Sequence, residues 1–147
     1  MQPVLETADK KGIKVNYGIP KDLIVFADEN MFGSIIRNLA SNAVKFTSRG
    51  GKISITAKPF SGSLVEIAIM DTGIGMNEKM IDDLFRLDIN TNRNGTDGES
   101  STGLGLIICK DFVEKHEGTI WAESEEGNGS TFYFTLQSQR SFQSRLR

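Results

Sequence analysis

Asp71 is the residue whose position in the chain most directly suggests chemistry. It follows a run of strand-type residues at 64–69, and Gly73 and Gly75 follow it at alternate positions. Glycines allow the backbone to approach a bound molecule closely. An ionised carboxylate only accepts hydrogen bonds, so it suits an exocyclic amine such as N6 of adenine. Asp-x-Gly-x-Gly is equally typical of a tight turn, and the motif alone leaves both interpretations open.

A second group of polar residues lies on a predicted helix. Asp28 is a good N-cap for a helix over 29–45, whose apolar residues recur at helical spacing. Asn38, Asn42 and Lys45 are spaced i, i+4, i+7, which places them in one stripe beside that apolar face. The stripe is either a solvated helix edge or a set of ligands facing a cleft. Two amide oxygens and an ammonium would suit Mg²⁺ bound together with phosphates.

A third group follows a long polar stretch. Residues 88–102 contain Ile89 as their only large apolar residue, which is typical of either a mobile lid or a disordered insertion. Thr102, Gly103, Leu104 and Gly105 then open a predicted helix over 104–115. Glycines at a helix N-terminus let backbone N–H groups reach an anion, although tight helix packing would also explain them. The lid and the upstream Asp71 motif favour the phosphate interpretation.

Composition excludes several other classes of function. The chain has 147 residues, 38% hydrophobic residues and a net charge of −2, so nothing global indicates nucleic-acid binding. Cys109 is the only cysteine, which excludes an intrachain disulfide; we expect a buried thiol and a reducing, cytoplasmic location. No apolar run approaches the ~20 residues of a membrane span, so any membrane anchor of a longer protein would lie outside this sequence.

His116 is the only histidine, and we expect it to be structural. A zinc site lacks further His or Cys ligands, and nothing around His116 favours a Ser-His-Asp arrangement.

The remaining elements follow from alternation and turn residues. Residues 1–12 are predicted to be the end of an upstream helix, 13–136 the folded domain and 137–147 a flexible tail. Asn77 is predicted to cap a short helix over 78–83. Strands are predicted at 13–18, 23–26, 52–57, 64–70, 119–124 and 131–136, with hairpins joining the third to the fourth and the fifth to the sixth.

Taken together and in this order, the motifs resemble those of a known family. Residues 38–47 (Asn-Leu-Ala-Ser-Asn-Ala-Val-Lys-Phe-Thr), 71–75, 84–85 (Leu-Phe) and 102–106 are similar to the N, G1, F and G2 boxes of the catalytic ATP-binding domain of sensor histidine kinases. The resemblance covers residues 10–136. Ser101 stands where the last motif usually has glycine, so the backbone flexibility of the lid hinge is expected to differ.

The resemblance implies the Bergerat fold. This is an α/β, two-layer sandwich with a mixed sheet of about five strands and about three helices on one face. ATP would lie between the helices and under the lid. By family correspondence, Asp71 would bind the adenine amine, Gly73 and Gly75 would line the base, and Phe46 would lie near the nucleotide.

The resemblance also assigns the phosphate end of the site. Asn42, helped by Asn38, would bind Mg²⁺, and Lys45 would contact phosphate; these three would be the catalytic residues. Arg93, in the lid, is a candidate γ-phosphate contact. Backbone N–H groups of the last motif would bind phosphate, and the nucleotide-binding residues there are Thr102, Gly103, Leu104 and Gly105.

One difference from the ATP-hydrolysing relatives predicts whether ATP is hydrolysed or its phosphoryl group is transferred. Relatives that hydrolyse ATP, such as type II topoisomerases, Hsp90 and MutL, carry a glutamate where this chain has Asn38, and that glutamate is a general base. An amide cannot take the proton, so we expect the γ-phosphoryl to pass to a histidine on a separate dimeric helical hairpin. A response regulator receiver domain would be a further partner. The longer protein would be a homodimer, and this chain alone a monomer unable to phosphorylate itself.

Three alternatives stay open at this level. They are a non-catalytic nucleotide-binding module, an ATPase of the gyrase or chaperone class, and a serine kinase of the anti-sigma type. The last two usually carry the glutamate.

Overall fold

The computed structural model describes residues 1–86, 93–99 and 103–138. The helices of these residues are α1 Gln2–Lys10, α2 Glu29–Lys45, α3 Glu78–Asp83 and α4 Leu104–Lys115. The strands are β1 Lys14–Gly18, β2 Lys52–Pro59, β3 Leu64–Asp71, β4 Ile120–Ser124 and β5 Ser130–Gln137. None of the helices in the described ranges is both long and apolar enough to cross a membrane.

The strands form one five-stranded sheet in the order β1-β2-β3-β5-β4. β1 is parallel to β2, and the other neighbours are antiparallel, so the sheet is mixed as predicted. The α/β class is thereby confirmed. The described residues contain four helices where about three were expected, because residues 2–10 are helical and pack against α2.

The core lies between the sheet and the helices. Alternate residues of β2 and β5 are buried, as a half-buried strand requires. They meet an apolar stripe of α2 that includes Ile35 and Leu39, and Cys109 and Val113 of α4, all at most 1% exposed. Met70, pointing the other way from the middle strand β3, is 47% exposed. Among the described residues, the face of the sheet that carries Met70 is therefore only partly covered.

Sheet register places Asp71 at the end of β3, the middle strand of the sheet. Asp71 is opposite Ile53 of β2 and Ser130 of β5, so it has a paired strand on each side. A side chain there can be held rigidly by backbone groups of its neighbours. This position, and not the Asp-x-Gly-x-Gly sequence by itself, makes Asp71 a buried carboxylate.

The start of α2 is fixed by two residues. The Oδ1 atom of Asp28 accepts from the backbone N–H of Met31 at 2.8 Å, which is the predicted N-cap. The backbone N–H of Asp28 donates to Nε2 of His116 at 2.9 Å, and Nδ1 of His116 lies 2.8 Å from the carbonyl oxygen of Phe112. Because Nε2 accepts, the proton belongs on Nδ1 and is donated to Phe112. His116 thus joins α4 to α2, a structural role.

The strand predicted at 23–26 is wrong. The structure has only an isolated bridge between Val25 and Ser138, and Ile24 and Phe26 are 55% and 45% exposed. Beside this bridge, the backbone N–H of Phe26 donates to the carbonyl oxygen of Gln137 at 2.8 Å, and within the described residues the pairing does not extend into a strand. Residues 139–147 of the predicted tail lie outside the described residues, as do 88–92 and 100–102 of the predicted lid.

Candidate functional site

A cavity of about 360 Å³ opens beside the end of β3. The cavity lies among α2, α3, α4 and β5. Its volume is within the range of small-molecule sites. Of the predicted site residues, it brings together Asn42, Phe46, Asp71, Gly75 and Gly103. The other lining residues are Ala43, Met76, Asn77, Lys79, Met80, Asp83, Leu84, Arg93, Leu106, Ser130 and Phe132.

Asp71 is the buried acceptor of this cavity. It is 6% exposed, and its Oδ1 accepts from the backbone N–H of Gly73 at 2.9 Å and of Ser130 at 3.2 Å. Both bonds end on Oδ1, so Oδ2 is the oxygen that can accept from a molecule in the cavity. Burial raises the pKa of Asp71 from 3.8 to about 6, although the two N–H bonds and the charge of Arg93 lower it.

The glycines after Asp71 are required by close packing. A Cβ at Gly73 would overlap the carbonyl oxygen of Phe46, and one at Gly75 would overlap that of Glu125 in the β4–β5 turn. Gly75 also has φ +70°, a conformation that disfavours other residues. Gly75 lines the cavity as expected, whereas Gly73 does not. Gly73 instead allows the loop to lie against the end of α2 and to bond Asp71.

The second glycine motif begins α4 at the other side of the cavity. Gly103, the N-cap of α4, has φ +77° and lines the cavity, so the first N–H groups of the helix start at its wall. Leu104 and Gly105 are in that first turn, although neither residue lines the cavity. A Cβ at Gly105 would lie 2.7 Å from Oδ1 of Asn38, so Gly105 lets α4 approach α2. Thr102 lies outside the described residues.

The three residues of the predicted stripe on α2 do not all line the cavity. Asn42 lines the cavity, but Asn38 and Lys45 do not. Nδ2 of Asn38 donates to the carbonyl oxygen of Ser34 at 2.9 Å, and its Oδ1 faces Gly105. Lys45 is the last residue of α2 and lines a separate pocket of about 230 Å³ against α1. Helical spacing does place the three residues in one stripe. The packing of α4 and α1 nevertheless gives each of them different neighbours.

Arg93 lies at the Asp71 end of the cavity. Its Nη2 donates to the carbonyl oxygen of Gly75 at 2.6 Å, and its guanidinium is 5.0 Å from the centre of the Phe46 ring. Burial lowers the pKa of Arg93, and the carboxylates of Asp71 and Glu126 oppose that shift. This arrangement does not support the predicted γ-phosphate contact, because these interactions hold the side chain at the predicted base end.

Sequence reasoning missed the wall made by α3. Asn77 accepts from the N–H of Met80 as the predicted N-cap, and it also lines the cavity with Lys79, Met80 and Asp83. Asp83 is 8% exposed and bonds Lys79 at 3.1 Å. One signal could have found this wall: α3 begins three residues after Gly75, so it has to lie near Asp71.

The sequence and the fold of this chain are similar to those of known proteins. The family model of histidine kinase-, DNA gyrase B-, and HSP90-like ATPases matches residues 27–140. The chain belongs to this family. The catalytic domain of the histidine kinase ThkA superposes with a TM-score of 0.78 at 30% identity, covering 92% of this chain and 86% of that one. The predicted resemblance and the Bergerat fold are confirmed: this is the ATP-binding catalytic domain of a sensor histidine kinase.

Relatives with similar sequences are named as sensory kinases. The adaptive-response sensory kinase SasA of Synechocystis sp. is 38% identical over 133 residues, and that of Crocosphaera subtropica is 35% identical over 132 residues. Each match covers 89% of this chain and 34% of the relative, so the chain spans about a third of the length of these kinases.

Two further similar structures are complexes. Full-length ShkA in complex with AMPPNP is 30% identical with a TM-score of 0.75, covering 93% of this chain and 29% of that one. ThkA in complex with the response regulator protein TrrA is 26% identical with a TM-score of 0.73, covering 95% of this chain and 40% of that one.

Proposed function

We propose that the chain binds ATP with Mg²⁺ and transfers the γ-phosphoryl group to a histidine on a separate helical dimerisation domain. The observation that carries the proposal is Asp71. A nearly buried carboxylate, with Oδ1 held by two backbone N–H groups and Oδ2 toward a cavity, is an acceptor suited to an amine. The adenine N6 amine is that donor in our proposal.

The rest of ATP would extend from Asp71 toward α4. Phe46 and Phe132 line the cavity and offer apolar surface to the base. At Gly103 the first turn of α4 directs backbone N–H groups and the positive end of the helix dipole toward the phosphates. The roles of Thr102, Leu104 and Gly105 in this turn are part of the proposal.

The donors at the phosphate end fit Mg²⁺ only when phosphates share the ion. Within the described ranges, no group of three or more His, Cys, Asp or Glu residues could hold a metal. Asn42 lines the cavity and offers one amide oxygen, a hard ligand that Mg²⁺ accepts beside phosphates and water. When bound, the ion would neutralise charge on the phosphates. Asn38 would support this end indirectly, through its contact with Gly105.

Asn38 favours transfer over hydrolysis. Its amide cannot take a proton from water, and its Nδ2 already donates a hydrogen bond to the carbonyl oxygen of Ser34. In the proposed reaction an imidazole nitrogen of the acceptor histidine attacks the γ-phosphorus, the bond to the β,γ-bridging oxygen breaks and ADP leaves. The chain supplies the position of ATP, and the acceptor comes from elsewhere.

The partners are proposed from the relatives. A receiver domain of a response regulator would take the phosphoryl group next, and the complex of ThkA with TrrA supports a partner of that class. The longer kinase would be a homodimer through its helical domain. This part of it would act in the cytoplasm, where ATP is available.

Mixing the chain with a helical dimerisation domain and γ-labelled ATP·Mg²⁺ tests the proposal. We expect acid-labile label on the helical domain, none on the chain alone, and little phosphate release. Replacing the acceptor histidine by glutamine should remove the label. Binding of ATP without transfer would indicate a nucleotide-binding module, and rapid phosphate release by the chain alone would indicate an ATPase; either result would overturn the proposed transfer.

A further inference from the structure

Lys11 is a buried lysine that the predicted site does not use. It follows α1 directly, and its side chain is 4% exposed. Its Nζ forms an ion pair with Oε2 of Glu99 at 2.8 Å. The oxygens that accept from Nζ are those of Val44 at 2.9 Å, Lys45 at 3.3 Å and Thr47 at 3.2 Å in the backbone, and Oγ1 of Thr96 at 2.9 Å.

This arrangement satisfies a charge that would otherwise be costly to bury. An ammonium has three donors, and here it meets three carbonyl oxygens, a hydroxyl and a carboxylate. The carbonyls are at the C-terminus of α2, where the helix leaves acceptors unpaired and its dipole favours a cation. Burial alone would raise the pKa of Glu99, but hydrogen bonds from Lys11 and from backbone N–H groups lower it.

The same ammonium joins two separate parts of the chain. Thr96 and Glu99 belong to the described part of the predicted lid, residues 93–99, which we call the lid segment. It also bonds α2 directly, since the N–H of Thr96 donates to the carbonyl oxygen of Lys45 at 2.8 Å. A Cβ at Gly95 would lie 2.6 Å from that oxygen, so glycine is needed for this approach. We call this contact between the lid segment and the C-terminus of α2 the junction, and the ammonium of Lys11 bonds both of its parts.

The junction is continuous with the cavity. Phe46, whose ring lines the cavity, lies between the carbonyls of Val44 and Thr47 that bond Lys11. The carbonyl oxygen of Phe46 accepts from the N–H of Ile74 at 3.0 Å, which fixes the loop after Asp71. At the start of the lid segment, Arg93 lies over the Phe46 ring.

We infer that Lys11 is a positioning residue for the nucleotide site. Its ammonium holds the lid segment on the C-terminus of α2, and so sets the places of Phe46 and Arg93 in the cavity wall. Without this contact the lid segment leaves α2 for part of the time, and ATP binds only the fraction in which the wall is formed. The ligand in this inference rests on the proposed function, but the contact itself does not.

Lys11→Met tests the inference, because methionine keeps the length of the side chain and removes the charge and the donors. Lys10→Met is the matched control, since Lys10 is adjacent, exposed and the same residue type. Amide hydrogen exchange of Thr96 measures attachment of the lid segment, exchange of Ile67 in β3 measures the core, and calorimetric titration measures ATP·Mg²⁺ affinity. In Lys11→Met we expect Thr96 to exchange about tenfold faster, Ile67 to be unchanged and the Kd to rise about tenfold.

Variants on the lid side keep the test decisive if Lys11→Met does not fold. Glu99→Gln removes the countercharge and Thr96→Val the hydroxyl, and both should increase the amide exchange at residue 96 and the Kd for ATP·Mg²⁺. Asp97→Asn is the control in the same segment, because Asp97 pairs with Arg49 at the surface and should have no effect. Adding Glu99→Gln to Lys11→Met should change neither quantity by more than about twofold, since one contact is lost.

Unchanged Thr96 exchange in Lys11→Met and Glu99→Gln would overturn the attachment. Faster Thr96 exchange with unchanged ATP affinity would overturn the positioning role. If the unmodified chain binds no ATP·Mg²⁺ the proposed function fails, and so does the positioning role, whereas the exchange data still decide whether Lys11 holds the lid segment.

Discussion

Asp71→Asn separates the two oxygens of the buried carboxylate. An asparagine can place its own oxygen where Oδ1 accepts from the N–H groups of Gly73 and Ser130. Its NH₂ group then lies where Oδ2 was, facing the cavity. The turn keeps its hydrogen bonds, but the acceptor for the adenine amine becomes a donor.

The loss of ATP affinity follows from that exchange. A hydrogen bond to a charged acceptor contributes roughly 1–3 kcal/mol, so the Kd for ATP·Mg²⁺ should rise by about 5- to 150-fold. The upper part of this range is expected, because two donors that face each other also leave a buried group unsatisfied.

The same substitution should stabilise the fold at neutral pH. The pKa of Asp71 rises from 3.8 to about 6, so above pH 6 the folded chain holds a carboxylate that burial disfavours. A shift of about 2 pKa units corresponds to about 3 kcal/mol, which is the upper limit of the increase in the free energy of unfolding. The folded protein binds this proton more tightly than the unfolded chain, so the gain is full above pH 6 and disappears as the pH falls through 6 towards 3.8.

Calorimetric titration of ATP·Mg²⁺ and urea unfolding at several pH values measure both effects. Asp111→Asn is the matched control: Asp111 is on α4, has a side chain 57% exposed and does not line the cavity, so neither affinity nor stability should change appreciably. Unchanged ATP affinity in folded Asp71→Asn protein would refute the assignment of Asp71 to the base. Lower stability than the unmodified chain at pH 7.5 would refute the burial argument.

Three further predictions concern neighbouring features. Arg93→Ala removes a charge that lowers the pKa of Asp71, so the pH below which ATP binding weakens should move upward from about 6 in titrations at pH 5–7.5. Cys109 is fully buried with its pKa raised to about 12, so at pH 8 a thiol reagent should react with it at least about a hundredfold more slowly in the folded than in the unfolded chain. Gly75→Ala should lower the melting temperature more than Gly62→Ala does, because both have positive φ but only Gly75 also meets a neighbouring carbonyl; equal losses would contradict the packing argument.

Elements with strong local signals could be predicted from the sequence alone. α2 and α4 have the predicted bounds, 29–45 and 104–115, because a capping residue or glycine begins each and apolar periodicity continues it. The hairpin of β2 with β3 could also be predicted, since β2 alternates, β3 is an apolar run and a short Ser-Gly-Ser loop joins them. In these cases local preference and tertiary packing agree.

The remaining part depended on contacts between distant segments. Helical spacing put Asn38 and Lys45 beside Asn42, but it carries no information on which neighbour each side chain meets. Gly105 of α4 packs on Asn38, and α1 lies beside Lys45. The apolar run at 23–26 likewise looked like a strand, yet among the described residues it forms one isolated bridge and no ladder.

The two interpretations of the Asp71 motif, a tight turn and a ligand site, are compatible in the structure. The turn exists, since the N–H of Gly73 bonds Oδ1 of the aspartate two residues earlier. That bond, with the one from Ser130 of β5, fixes the carboxylate and leaves Oδ2 toward the cavity. A ligand-binding carboxylate has to be oriented before the ligand arrives, and a tight turn is an inexpensive way to orient it because both groups are local. In the proposed function the turn is therefore what orients Asp71 to select a donor, and a sequence typical of both a turn and a ligand site need not be assigned to only one.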